Sequence, residues 1–463
     1  MGRKSYQIDM ANGSLVDKIL LFSLPLMLSS VLQLLFNAAD IVVVGRFASS
    51  NSLAAVGSTG SLINLIVNVF VGLSIGTNVV VARFLGAQEY DKVQKTVHTS
   101  IYVALVSGVF LAFFGFFASK TLLTWMDTPV EVLELAVLYL KIYFLGMPAS
   151  MVYNFGSAIL RAQGDTKRPL YFLSVAGVVN VILNLILVVF VHMDVAGVAI
   201  ATITSQYISA CLILACLSVE DGALRLDMKA MELDFGILKE MAKIGLPAGL
   251  QGSVFSLSNV VIQASVNSFG PIVMAGNSAA SNIEGFVYVA MNAFYQSALT
   301  FTGQSVGAKN YARVNKIMLT CLMMVGITGL VLGMGVYYMG KPLVGIYSQD
   351  PLVIEAGIVR LKYVCQLYFL CGLMDVMVGI LRGIGYSIMP MIVSLLGACA
   401  FRLVWIMTVF QMYRSIDTIY VSYPISWLMT FSVHMLCYLL VKGKWLRKMQ
   451  AKDQLEEEKS LLG

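Results

Sequence analysis

The chain predicts an all-α, polytopic membrane protein of twelve transmembrane helices, arranged as two homologous six-helix lobes in a parallel repeat. Three observations predict this class. The 463 residues are 58% hydrophobic and only 12% charged, against about 25% charged in an ordinary soluble domain. Uncharged stretches long enough to cross a bilayer, about 20 residues each, recur along the whole chain. The second half also repeats the first at a nearly constant spacing. Helix is the secondary structure to expect, because open strands cannot satisfy their backbone in lipid.

In chain order the uncharged runs fall at 19–39, 47–82, 99–119, 169–191, 195–219, 244–283, 285–308, 317–340, 383–401 and 418–441. The charged segments 133–158 and 353–380 complete the set. Breaks are expected where turn formers and charges cluster: "FASSNS", "LGAQEYDKVQK", "MDTPVE", "AQGDTKRP", "HMD", "FGPIV", "GAKNYARVNK", "YSQDPL", "GIGYSIMP" and "YRSIDT". The expected layout is a tail at 1–14, an amino lobe at 15–219, a linker at 220–238, a carboxyl lobe at 239–441 and a charged tail at 442–463.

Lysine and arginine set the orientation. One side carries Arg3, Lys4, Arg83, Lys92, Lys95, Arg161, Lys167, Arg168, Lys309, Arg313, Lys316 and the cluster from Lys442 to Lys452; the other has little more than Arg46, Lys120, Lys341 and Arg414. The positive-inside rule then makes both termini cytoplasmic, in a multi-pass cell-membrane protein. The net charge of +6 is accounted for by these loops and calls for no nucleic-acid partner. The first residues, "MGRKSYQIDMANGS", lack the apolar core of a signal peptide and the myristoylation pattern. All seven cysteines lie in hydrophobic stretches without metal-ligand spacing, as expected of small reduced core residues.

The repeat is read directly. At an offset of 221 residues, Gly86-Ala87 meets Gly307-Ala308, Tyr90 meets Tyr311, Val93 meets Val314 and Lys95 meets Lys316. "LRAQGDTKRP" meets "LRGIGYSIMP" in the same register. At offset 222, Pro25 meets Pro247 and Asn37 meets Asn259. Six helices per half is an even number, so both halves enter from the same side. Such a pair encloses a central cleft in which secondary transporters bind substrate.

Within "LLFNAADIVVVGRF", Asp40 stands out. An aspartate at the centre of a membrane helix costs roughly 2.5–3.5 kcal/mol, so something must offset that cost. A carboxyl group withdrawn from water favours its neutral form and can exchange protons near neutral pH. The alternative is a local hydrogen bond from Asp40 to Asn37 or Arg46 at the outer interface.

The chain resembles the multidrug and toxic compound extrusion (MATE) family over roughly residues 15–440. The marks are the early Leu-Pro of each half, "FNAADIVVVGR", "GAQEYDKV", "GQSVGAKNYARV", "LRAQGDTKRP", "LRGIGYSIMP" and "NVILNLIL…GVAIATITSQ". The resemblance implies a two-lobed antiporter that expels small organic, often cationic, compounds against an inward flow of protons or sodium. It needs the lipid bilayer and an ion gradient, and no cofactor. The expected unit is a monomer.

The resemblance also implies an amino-lobe cation site at Asp40 with Asn180, Asn184 and Thr202. Asn180 and Asn184 are four apart and share a helix face. Their oxygens with one carboxylate would suit sodium, although a single acid favours protons. One branch of the family carries aspartate where this chain has Asn184. Under the repeat the partners of the four are Ile262, Phe401, Trp405 and Tyr423. The carboxyl lobe is therefore expected to be apolar and aromatic here, with packing or cation–π contact. The substrate-cleft candidates are Gln33, Asn37, Glu284, Gln296, Thr300 and Asp375. Glu284 and Asp375 would either attract substrate or pair with Arg402 or a neighbouring helix. Pro25, Pro148 and Pro247 would permit bending or set static kinks. The 26 methionines suit an adaptable wall.

Competing classes leave weaker marks. A flippase for lipid-linked oligosaccharides should line its cleft with several arginines or lysines, and Arg402 is the chief one expected. The isolated histidines His98, His192 and His434, without HExxH or GxSxG, argue against an enzyme.

Overall fold

The structure, a computed structural model, describes residues 7–126 and 128–462. Arg3 and Lys4 of the expected tail, and Asp127 in the third expected break, lie outside the described residues. The described residues contain helices and no strand.

The amino lobe contributes α1 (Leu15–Phe47), α2 (Ser50–Gly86) and α3 (Tyr90–Trp125). The fourth helix, α4, is two segments, Val130–Leu145 and Met147–Ala162, bent by 47°. Then follow α5 (Lys167–Asn184), prolonged by a π-helical turn over Leu185–Phe190, and α6 (Asp194–Ser218). The carboxyl lobe repeats the order with α7 (Phe235–Asn267), α8 (Pro271–Gly307) and α9 (Tyr311–Tyr338). Its α10 is again bent by 47°, between Pro351–Val364 and Phe369–Gly383. In α11, Ile388–Ser394 passes through a π-helical turn, Leu395–Ala400, into Phe401–Met407. The last helix, α12, runs over Ile416–Leu462.

Among the described residues, eight continuous helices and the two bent pairs are long and apolar enough to span a membrane. The other two, α7 and α8, have 33 and 37 residues, so length is not what they lack. Their hydropathy is lowered by residues such as Gln251, Asn259, Glu284 and Gln296, which face the cleft rather than lipid. The outward faces of other helices are apolar and exposed, as at Phe113, Phe117, Ile327, Val331 and Leu440; in a soluble protein such faces would aggregate.

The lobes meet where backbones touch. A Cβ on Gly72 would sit 2.3 Å from the Gly249 nitrogen, and one on Gly76 would sit 2.1 Å from the Met241 carbonyl oxygen. Only glycine permits this approach of α2 to α7. A second contact is nearly symmetric: a Cβ on Gly86 would lie 2.0 Å from the Gln304 carbonyl oxygen, and one on Gly307 would lie 1.9 Å from that of Arg83. Arg83 and Gln304 are themselves partners at offset 221, so the pseudo-axis passes between them. These contacts lie in the halves of α2, α7 and α8 nearest the start of the chain, and there the molecule is closed.

Helix α1 straddles the lobes. Its start packs on the carboxyl lobe, with the Ser23 and Ser297 hydroxyls 2.8 Å apart and the Phe22 and Phe301 rings edge-to-face at 5.5 Å. Its later part leans on α5, where Phe36 fills the space over Gly177. The linker is pinned to α3: His98 Nε2 accepts from the Asp227 amide at 3.2 Å, and Thr99 Oγ1 from that of Asp234 at 3.1 Å. Asp234 then caps α7 by accepting from the amides of Gly236 and Ile237, a contact of about 1 kcal/mol.

Candidate functional site

Two polar sites stand on either side of the pseudo-axis. In the amino lobe, α1 presents Asp40 toward α5 and α6. The Asn184 amide donates to Asp40 Oδ1, and the Thr202 hydroxyl donates to Oδ2 at 3.4 Å. Asn184 Nδ2 also reaches Asn180 Oδ1 at 3.3 Å, as expected for residues one turn apart. Asn184 is fully buried, and its own Oδ1 has no hydrogen-bond partner. Tyr139 and Tyr143, stacked at 5.9 Å, lie within electrostatic reach of the acid. The π-helical turn of α5 begins at the residue after Asn184. The contacts of Asp40 to α5 and α6 stand where the local alternative placed Asn37 or Arg46.

The second site is a cavity of about 800 Å³ between α2 and the carboxyl lobe, walled by α7, α8, α10, α11 and α12. Of the six cleft candidates, Glu284, Gln296 and Asp375 line it. Gln33 and Asn37 are exposed on α1 and are not part of its lining. Thr300 is turned away: it is fully buried and donates to Asn78 Oδ1 of α2 at 2.9 Å, joining the lobes instead of facing the cleft.

The carboxyl lobe is not the apolar surface expected from Ile262, Phe401, Trp405 and Tyr423. Three buried arginines, Arg360, Arg382 and Arg402, line the cavity. Arg360 clasps Glu284 with both ends, Nε to Oε1 at 2.7 Å and Nη2 to Oε2 at 2.8 Å, and Nη1 donates to Asn277 Oδ1 at 2.7 Å. Glu284 therefore pairs with Arg360, a neighbouring-helix partner, and not with Arg402. Arg382 donates to the Tyr295 hydroxyl and to Gln251 Oε1.

Arg402 lies 4.2 Å from the Tyr423 ring centroid and 5.5 Å from that of Trp427, with Nε bonded to Ser426 Oγ at 2.8 Å. The cation–π contact falls on Tyr423 as expected, but the cation is the protein's own. Phe401 and Trp405 face each other at 5.7 Å, with Trp405 Nε1 on the Thr418 carbonyl, away from the cavity. The residues that the sequence leaves unmarked are Arg360 and Arg382, both near the ends of the two segments of α10. Arg402 reads as intramembrane, where an ionisable group is functional by default.

Among the described residues no group of His, Cys, Asp or Glu could hold a metal by itself, and the cysteines are free.

Two homologous six-helix lobes around a polar cleft make the architecture of a secondary transporter. A sequence profile of the MatE family matches residues 25–186 and again 247–408, once per lobe, and the chain belongs to that family. It is 27% identical over 404 residues to a probable multidrug resistance protein, YpnP, of Bacillus subtilis, covering 85% of this chain and 88% of that one. Two solved structures share the fold, each at 21% identity. One is a MOP superfamily transporter from Pyrococcus furiosus, described as having a binding pocket of reverse polarity (TM-score 0.87, covering 96% of this chain and 97% of that one). The other is an outward-facing multidrug resistance MATE transporter of the MOP superfamily (TM-score 0.88, covering 95% and 98%).

Proposed function

We propose that the protein is an ion-coupled antiporter of the cell membrane that exports a range of organic compounds by alternating access. The observation that carries this reading is the amino-lobe site, away from the substrate cavity. There a carboxylate accepts from the Asn184 amide nitrogen, while the other end of that amide, Oδ1, is buried without a partner. A buried acceptor without a donor is costly, and a proton or a small cation relieves it. The oxygens of Asp40, Asn180, Asn184 and Thr202 are hard donors of the kind sodium takes. A lone carboxylate accepts a proton equally well, and protons remain the favoured coupling ion. Arrival of the ion changes the charge on α1, which is shared by both lobes.

With the basic loops placed in the cytoplasm, the glycine contacts of α2 and α7 close the cytoplasmic end, and the cavity faces outward. The family resemblance and the named relative support multidrug export. In the cleft, Asp375 offers the carboxylate for a positively charged part of a substrate. The flippase reading remains second. The cleft has three arginines rather than one, but Glu284 occupies Arg360 and neutral groups hold Arg382.

The test is efflux of fluorescent dyes of both charges, ethidium among them, from proteoliposomes under imposed proton or sodium gradients. Wild type is expected to respond to one gradient. Asp40→Asn should bind dye and lose the response. Normal pumping by Asp40→Asn would remove the amino-lobe site from the mechanism and turn attention to Asp375.

A further inference from the structure

The five charged side chains of the cavity wall do not cancel. Glu284 and Arg360 neutralise each other through two short hydrogen bonds. That leaves one carboxylate, Asp375, against two guanidiniums, Arg382 and Arg402. Arg382 spends both Nη atoms on neutral acceptors, Tyr295 and Gln251, and only its Nε is left buried without a partner. Arg402 spends Nε on Ser426, while its Nη2 is buried without any partner, and only 3% of the residue is exposed. An unpaired guanidinium at this depth is expensive to keep. Packing alone gives no reason for it, since Met or Leu would fill the same space at less cost.

What surrounds Arg402 indicates what the free edge is for. Tyr423 lies under the guanidinium, and Trp427 stacks on Tyr368 at 5.2 Å, which stacks on Tyr288 at 6.5 Å. A row of aromatic faces thus runs through the cavity wall from the positive charge. This arrangement complements a planar organic body ending in an oxyanion. The π-helical turn of α11 ends at Ala400, two residues before Arg402, a placement common at binding sites. The Nη edge, bonded to no protein group, suits one carboxylate. Asp375 and the paired Glu284 in the same wall oppose a phosphate dianion.

We propose that Arg402 is an oxyanion-binding subsite, and that the carboxyl-lobe cavity takes aromatic monocarboxylates, with the carboxylate on the unbonded Nη edge of the guanidinium and the ring against Tyr423 and Trp427. This rests on reading the cavity as the substrate cleft. It adds to that reading a class of substrate whose negative charge is recognised.

The test measures binding to purified protein without any ion gradient, using four dansyl probes that differ in one end group. Dansylglycine is a monoanion, dansylglycinamide is neutral, dansyl ethylenediamine is a cation and dansyl phosphoethanolamine is a dianion. Dansylglycine is expected to bind about tenfold tighter than the amide, the scale of one charge-assisted hydrogen bond. Arg402→Met should abolish that preference while leaving amide affinity within about twofold, and Arg402→Lys should keep part of it.

The wild-type ranking stands as a test even if a variant fails to fold. Equal binding of carboxylate and amide, or tighter binding of the cation or the dianion, overturns the proposal. So does an unchanged ranking in folded Arg402→Met. Because no gradient is applied, a correct ranking with no ion-driven efflux would defeat the antiporter reading alone. Ion-driven efflux with no carboxylate preference would defeat the subsite alone.

Discussion

The two lobes descend from one repeat, yet they put unlike side chains at matching places. In the amino lobe Asp40 is held by amides and a hydroxyl from α5 and α6. In the carboxyl lobe the repeat puts Ile262 at the position of Asp40, at offset 222, and Tyr423 at that of Thr202, at offset 221. Tyr139, within reach of Asp40, has Arg360 as its partner at offset 221. Both α5 and α11 carry a π-helical turn beside the site, just after Asn184 and just before Phe401 and Arg402. One scaffold thus serves two tasks. The amino site is small, has one acid and suits an ion; the carboxyl site is roomy, arginine-rich and suits a larger molecule.

The largest effect expected from breaking this division is structural. Arg360→Met strands the buried Glu284 carboxylate, while Asn277 Oδ1 keeps the Tyr420 hydroxyl, so thermal unfolding of the purified protein should show a loss of about 3–5 kcal/mol. Glu284→Leu combined with Arg360→Met should recover most of it, because two apolar groups replace a paired charge at little cost. Asp40→Asn keeps shape and neighbours and should change stability by under about 1 kcal/mol. If Asp40→Asn unfolds the protein as readily as Arg360→Met, the contrast between a working acid and a structural ion pair fails.

Next comes the joint between the lobes. Gly76→Ala puts a methyl 2.1 Å from the Met241 oxygen, closer than any real contact, and overpacking of this kind costs about 1–3 kcal/mol. The strain is relieved by parting α2 from α7, which is the movement that opens the closed end. Amide hydrogen exchange over 69–86 and 241–252 should therefore quicken tenfold or more. Exchange confined to its wild-type rate would show that the helices absorb the methyl without separating.

A finer test concerns the amino site alone. Asn184→Ala removes a donor to Asp40 and the free amide oxygen together, leaving the acid in place. With protons as the coupling ion, loss of the donor that favours the ionised carboxylate should lower the proton concentration for half-maximal efflux about tenfold, the scale of one hydrogen bond to a charged group. With sodium, the loss of the amide oxygen should raise the sodium concentration instead. Dye binding in the carboxyl cavity should be untouched. A change in dye affinity with no change in ion dependence would exchange the roles given to the two lobes.

Much of this was legible in the chain, for identifiable reasons. The spans show because lipid demands long apolar helices with internal hydrogen bonds, and the repeat shows because both lobes keep the same turn residues. Asp40, Asn184 and Thr202 are expected together from the family resemblance, and helix periodicity adds only that Asn180 and Asn184 share a face. The carboxyl cavity was harder to read. Arg360 and Arg382 sit near segment ends, where a basic residue reads as loop charge. The pairing of Arg360 with Glu284 spans 76 residues of sequence and two helices, so no local spacing announces it. Thr300 looked like a cleft residue from its four-residue spacing with Gln296. Its hydroxyl turns to Asn78 because α2 and α8 pack close enough there to share a bond.

The smallest expected effect lies where the chain's start ties the lobes together. Gln7 donates to Gln163 of the amino lobe at 3.1 Å, and the Met10 amide donates to Gln304 of the carboxyl lobe at 3.1 Å. Met10 is fully buried, so this strap fills space under the glycine contacts. Arg313 holds it by donating to the carbonyls of Met10, Asn12 and Gly13 at 2.9–3.1 Å. These bonds are largely exposed to water, and their net worth is about 1 kcal/mol. Arg313→Gln should therefore leave unfolding nearly unchanged and efflux within about twofold. Yet the strap crosses the line along which the lobes must part, so even a small loss favours its release. Amide exchange at Met10–Lys18 should rise about fivefold, on the scale of 1 kcal/mol. If exchange there stays slow, burial of Met10 holds the strap without Arg313, and Met10→Ala becomes the substitution that frees it.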